Sequence, residues 1–146
     1  MLFSQIIGQE DIKKKLIQSV KENRVAHAQL FLGPEGTGKL ALAIAYAQYI
    51  NCTNKQENDS CGQCPSCKKY NALAHPDLHF IFPNTTNKSV KKEPESNLYL
   101  TEWRTYLESC DCYASTSNWY NALEVENKQG IINVRDAASI IRKLNL

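Results

Sequence analysis

Four cysteines crowd into the run Cys52-x8-Cys61-x2-Cys64-x2-Cys67, and nothing else in the chain restricts its folding as tightly. Two-residue gaps let neighbouring sulfurs turn back onto one ion at about 2.3 Å, with Cys52 closing the tetrahedron from the end of a preceding helix. The spacing predicts a structural zinc site whose closed four-sulfur shell leaves no position for water and so no catalysis. Free or disulfide-linked thiols are the alternative. A secreted disulfide framework spreads its cysteines along a small chain, whereas four of the six here fall within sixteen residues, which points to reduced cytoplasmic thiols. Cys110 and Cys112, in an Asp- and Ser-rich turn, read as ordinary thiols. With four sulfurs sufficient, His75 and His79 read as strand-edge and surface residues.

A second motif lies just upstream. Gly33-Pro34-Glu35-Gly36-Thr37-Gly38-Lys39-Leu40 fits G-x-x-x-x-G-K between an apolar run and an Ala-rich one. Glycines let such a loop curl until its N–H groups and the following helix N-terminus converge on phosphate oxygens, while the lysine reaches the β- and γ-phosphates. A plain strand-to-helix turn is the blander reading, and the flanking pattern disfavours it. The residue after the lysine is normally Ser or Thr, whose hydroxyl ligates magnesium; here it is Leu40. No apolar run ends in an acidic pair that could support the ion from outside, since Leu32 leads into the loop and Phe82 into Pro83-Asn84. The expectation is a loop of the usual shape that can hold phosphate, ATP or ADP and does not hydrolyse.

Periodicity organises the rest. Gln9 to Arg24 reads as a helix with Ile12, Leu16, Ile17 and Val20 inward and Lys13, Lys14, Lys15 and Lys21 mostly solvated. His27 to Leu32 reads as a strand buried on both faces, Leu40 to Ile50 as a deeply packed helix, and Asp77 to Phe82 as a second strand. Pro65 suits a first helical position with Cys64 as cap, and His75-Pro76 ends that helix. Pro83 to Pro94 reads as a flexible loop. Asn97 to Glu108 and Ser117 to Leu123 read as short helices, Ile131 to Val134 as extended, and Arg135 to Leu144 as an amphipathic helix.

At 146 residues the chain allows one core. Its formal charge of +2 falls to about zero once four thiolates and a divalent metal are counted, which argues against a large nucleic-acid footprint. Neither a signal peptide nor a membrane span is expected. A zinc-dependent nucleic-acid-binding module would need basic and aromatic residues around the cysteines, and only Lys68, Lys69 and Tyr70 offer themselves.

Phe3, Ile6-Ile7-Gly8-Gln9-Glu10, Arg24, His27-Ala28, the loop Gly33 to Lys39, the cysteine knuckle, His75-Pro76-Asp77 and Ile132-Asn133-Val134 together resemble the bacterial DNA polymerase III clamp-loader subunits. The likeness covers residues 1–82 well and 130–146 moderately, with 83–129 as an insertion. It implies an α/β fold, a P-loop NTPase (AAA+, RecA-like) with a parallel sheet flanked by helices and a zinc knuckle at residues 52–67. It further implies that residues 1–146 are the N-terminal portion of a longer domain. Two subunit types share this beginning. The gamma/tau motor hydrolyses ATP, whereas the delta prime type, with a degraded loop, is a stator; Leu40 favours the latter. The implied partners are the other clamp-loader subunits (gamma/tau and delta), and, through the complex, the sliding clamp and primed DNA, within a nucleotidyltransferase holoenzyme.

Overall fold

The computed structural model describes residues 1–125 and 128–144. Six α-helices are present among them: α1 (Glu10–Lys21), α2 (Lys39–Asn51), α3 (Pro65–Asn71), α4 (Leu100–Ser109), α5 (Thr116–Ala122) and α6 (Val134–Leu144). The chain divides into two compact units. One is Met1–Leu78 with Asp111–Tyr113, and the other is His79–Cys110 with Ala114–Leu146.

The expected parallel sheet is absent: the described residues contain no strand, and their only β pairing is an isolated antiparallel bridge between Asn84 and Ile131. The P-loop α/β class expected from the sequence is therefore corrected to a helical architecture. A continuous apolar run specifies a buried strand only if neighbours supply hydrogen bonds on both edges. Here 27–32 bends at His27 and Ala28 and joins no ladder, and Leu30 and Leu32 stand 80% and 81% exposed. The second expected strand uses its apolar residues differently. Phe80 and Phe82 are buried against an aromatic cluster carried by α4 and α5.

In the first unit α2 is the central element. Ala41, Leu42, Ile44, Ala45, Tyr46, Gln48 and Tyr49 are all buried, so the helix is apolar nearly all round because it is covered nearly all round. α1 and α3 pack on it, and the 3-10 turn Phe3–Gln5 places Phe3 edge-on to Tyr49, centroids 5.8 Å apart. α1 departs from its expected faces. Lys13 is buried, its ammonium donating to the Ile6 carbonyl at 2.7 Å and to Glu10 Oε1 at 2.8 Å, while Ile12 is exposed. A lysine reads as a solvated residue until a carbonyl and a carboxylate come within reach of its long stem.

In the second unit the two short helices expected between 97 and 123 form close to their predicted positions. Phe82 stacks on Trp103 at 4.2 Å, Trp119 meets Trp103 edge-on at 4.8 Å, and the Trp119 indole N–H donates to the Pro83 carbonyl at 2.8 Å. Asp136, 1% exposed in the first turn of α6, accepts from the Ser96 N–H at 2.8 Å and from Asn84 Nδ2 at 3.0 Å. These bonds satisfy a carboxylate that burial would otherwise penalise.

Candidate metal centre and phosphate loop

Both predicted sites belong to the first unit and sit at opposite ends of α2. Cys52 is the C-cap residue, its N–H bonded to the Tyr49 carbonyl at 3.3 Å. The chain then loops out to Cys61, and Cys64 caps α3, with Pro65 at the first helical position. Proline fits there because that position has no intrahelical partner for an N–H.

The four Sγ atoms of Cys52, Cys61, Cys64 and Cys67 all lie within 4.8 Å of one another. Cys52 and Cys61 are 3.6 Å apart and Cys61 and Cys67 3.9 Å. A tetrahedron with metal–sulfur bonds of about 2.3 Å has edges of about 3.8 Å, so the donor set fits a four-coordinate zinc-type ion. Three amides point at the sulfurs: Cys61 N–H to Cys52 Sγ at 3.4 Å, Cys64 N–H to Cys61 Sγ at 3.3 Å, and Cys67 N–H to Cys64 Sγ at 3.4 Å. Such donors stabilise thiolates. The Cys67 amide, followed by the Thr53 hydroxyl and amide, brings the Cys64 thiol down to about 5, and the Gln63 and Cys64 amides lower that of Cys61. Cys67 is fully buried, and desolvation pushes its thiol up to about 12. Without a cation the cluster thus resists carrying four negative charges; a divalent ion removes that resistance.

Asp59, in the long arm between Cys52 and Cys61, gives the knuckle a second attachment. Its carboxylate accepts from the Phe3 N–H at 3.0 Å and the Ser4 N–H at 2.9 Å, and also from Ser60. The cysteine spacing gave no hint of this clamp on the N-terminal turn.

At the other end Gly33, Pro34, Glu35 and Gly36 are exposed, Thr37 half-buried and Gly38 buried. Lys39 and Leu40, both half-buried, open α2. Gly36 and Gly38 take φ of 79° and 75°, a region L-residues with side chains rarely enter. Lys39 Nζ donates to the Pro34 carbonyl, which also accepts from the Thr37 hydroxyl at 2.8 Å, while Gln9 Nε2 donates to the Thr37 carbonyl at 3.4 Å. Tyr113 lies against this loop. A Cβ on Gly38 would stand 2.9 Å from Tyr113 Cε1, and the phenol oxygen accepts from the Ile7 N–H at 3.0 Å. No motif pointed to Tyr113.

Neither histidine reaches the cysteine cluster among its ligand atoms. His79 is exposed. His75 stacks on Tyr70 at 4.4 Å and lies between Ser66 and Asp77 in an order that imitates a nucleophilic triad. Its polarity is wrong. The Asp77 N–H donates to Nδ1 at 3.2 Å, leaving the neutral ring's proton on Nε2, which faces Ser66 Oγ at 3.2 Å. A ring that donates to the hydroxyl cannot take its proton. Tyr70 is buried and bonded to Asn51 at 2.8 Å, so it offers no platform for a nucleic-acid base.

Comparison with known proteins agrees with the resemblance carried by these residues. DNA polymerase III subunit delta' of Bacillus subtilis is 36% identical over 101 residues, covering 69% of this chain and 30% of that protein. DNA polymerase III subunit tau of the same organism is 38% identical over 66 residues, covering 45% of this chain and 12% of that protein. Protein STICHEL of Arabidopsis thaliana is 37% identical over 70 residues, covering 48% of this chain and 6% of that protein. The chain thus spans less than a third of the length of each of these relatives. No solved structure matches it significantly. Residues 8–103, well over half of the chain, match the family described as DNA polymerase III, delta subunit, and the chain belongs to that family.

Proposed function

We propose that this chain is part of a clamp-loader subunit of bacterial DNA polymerase III, of the delta prime type, acting as a non-hydrolysing stator. Its partners are the gamma/tau and delta subunits, and through the complex it serves the loading of the sliding clamp onto primed DNA in the cytoplasm. Four thiolates hold one structural zinc, which fixes the start of α3 against the end of α2. Residues 83–129 are an insertion on this reading.

The observation that carries the stator reading is the start of α2. Lys39 is engaged by the loop's own Pro34 carbonyl, and Leu40 follows it with no oxygen to offer a magnesium ion. Without that hydroxyl a bound γ-phosphate lacks the charge neutralisation that phosphoryl transfer needs. The loop Gly33 to Leu40 keeps its N–H groups and can hold a phosphate group without turning it over. The gamma/tau motor, with a tau subunit among the relatives, is the competing reading.

Two measurements test the proposal. Elemental analysis of purified protein should find one zinc per chain. Phosphate release from ATP should stay at background with and without magnesium, and turnover at ordinary ATPase rates would make the motor reading the correct one.

A further inference from the structure

We infer that Tyr113 is a built-in lid on the phosphate loop, an internal occupant that the polyphosphate end of a nucleotide must displace before it can bind. The inference deepens the proposed function, because it rests on reading Gly33 to Leu40 as a phosphate cradle.

Three observations converge. The first is burial: Gly38 is buried although Gly33 to Gly36 beside it are exposed, and Tyr113 is what lies against it. Cε1, Cζ and the phenol oxygen stand 2.9, 3.2 and 3.3 Å from the position a Gly38 side chain would take. The second is the hydroxyl. It accepts the Ile7 N–H at 3.0 Å across 106 residues of sequence, pinning the segment before α1 to the loop. The third is the lysine. Lys39 turns inward to Pro34, so the cation meant for a phosphate has an acceptor already, while the N–H groups of Gly36 to Lys39 have no acceptor among the described residues. The cradle keeps its donors, and Tyr113 covers its last glycine while Gly33 to Gly36 stay exposed.

The backbone delivering Tyr113 supports a placed residue. Asp111 and Cys112 both adopt positive φ, 47° and 61°, and turn the chain so that Asp111–Tyr113 joins the first unit while the residues on either side belong to the second. Non-glycine residues hold such conformations only where surrounding contacts enforce them.

The test is calorimetric titration of the full chain with inorganic pyrophosphate in the absence of magnesium. Tyr113→Ala should bind at least tenfold more tightly than wild type, with Tyr113→Phe between them because it keeps the ring and loses only the bond to Ile7. Adding Lys39→Ala to Tyr113→Ala should abolish the gain. In wild-type protein the Ile7 amide resonance should move on pyrophosphate binding as it does in Tyr113→Phe, a readout that stands if Tyr113→Ala folds poorly. Equal, Lys39-dependent binding by wild type and Tyr113→Ala would overturn the lid and leave the phosphate cradle standing. Binding by neither would overturn the cradle, and the lid with it.

Discussion

The two ends of α2 set one problem with two answers. At the C-terminal end, Cys52 and its three companions bring four sulfurs within 4.8 Å, with backbone N–H groups favouring their ionised forms. At the N-terminal end, the loop from Gly33 carries the residues of a phosphate cradle, yet its lysine is bonded within the loop and Tyr113 covers its last glycine. The first end gathers four thiols that cannot all ionise together until a cation arrives. The second holds a positive charge already hydrogen-bonded to a neutral carbonyl of its own loop. A convergent donor set is open to a ligand to the extent that the chain leaves its donors unengaged, which is the distinction between these two sites.

Removing the ion should therefore produce the largest effect. Cys67→Ser, at a fully buried ligand position, should lose the metal and destabilise the first unit by about 3 kcal/mol or more, because metal binding here is folding energy. Chelation should do the same to wild type, and the melting midpoint of that unit should fall by roughly 10 °C or more. An unchanged midpoint would place the knuckle on the same footing as the loop and erase the contrast.

Acid should weaken the same end. Cys64 titrates near 5 in the fold against an ordinary 9.0, so its contribution is complete above 9.0 and lost as the pH falls through 5. Cys67 has the opposite sign: burial raises its thiol to about 12, favouring the metal-free fold below 9.0 and ceasing to do so as the pH rises through 12. At neutral pH the empty site thus holds at least one proton, on Cys67, that a metal must expel. Zinc titration in two buffers of different ionisation enthalpy should count one or more protons released per ion, with affinity falling toward pH 5. A count of zero would mean that the four sulfurs are already ionised.

What could be read from sequence follows the same division between local and distant causes. The convergence of the four cysteines was legible because two of their spacings are of two residues and helices end at Cys52 and begin after Cys64. Pro65 after Cys64 announced α3 for equally local reasons. The strand at 27–32 was misread because an apolar run records what a segment would pack against, not whether a partner strand is present. Lys13, Asp59 and Tyr113 were invisible: each acts through a backbone group brought to it by folding, the Ile6 carbonyl, the Phe3 and Ser4 amides, and the Ile7 amide. Residue type alone gives no such pairing.

Two intermediate effects separate the ends further. Gly38→Ala would need a side chain at φ 75° and a Cβ 2.9 Å from the Tyr113 ring, and should cost about 1–2 kcal/mol in denaturant melts. Restoration of most of that loss by Tyr113→Ala in the same chain would assign it to the ring, not to the backbone. Asp59→Ala removes a carboxylate that accepts from Phe3 and Ser4 but is itself half-buried, so about 1 kcal/mol is expected. Zinc content should be unchanged in Asp59→Ala, since the carboxylate is not among the four convergent ligands. Loss of the metal would show that the clamp and the knuckle form one unit.

The smallest effect belongs to the position that first looked like the defect. Leu40→Thr returns a hydroxyl to the second position of α2, the place from which magnesium is ordinarily held. A hydroxyl alone supplies one oxygen to an ion that demands six and keeps its waters reluctantly. No acidic pair follows either apolar run of this chain to support it from the other side, and Lys39 still faces Pro34 beneath a loop that Tyr113 abuts. Phosphate release from ATP by Leu40→Thr should therefore remain at the wild-type background, and its thermal midpoint should shift by only a few degrees because Leu40 is half-buried. Magnesium-dependent turnover in this single variant would mean that the loop is one side chain away from a motor, and that the N-terminal end of α2 is as ligand-ready as the cysteine end.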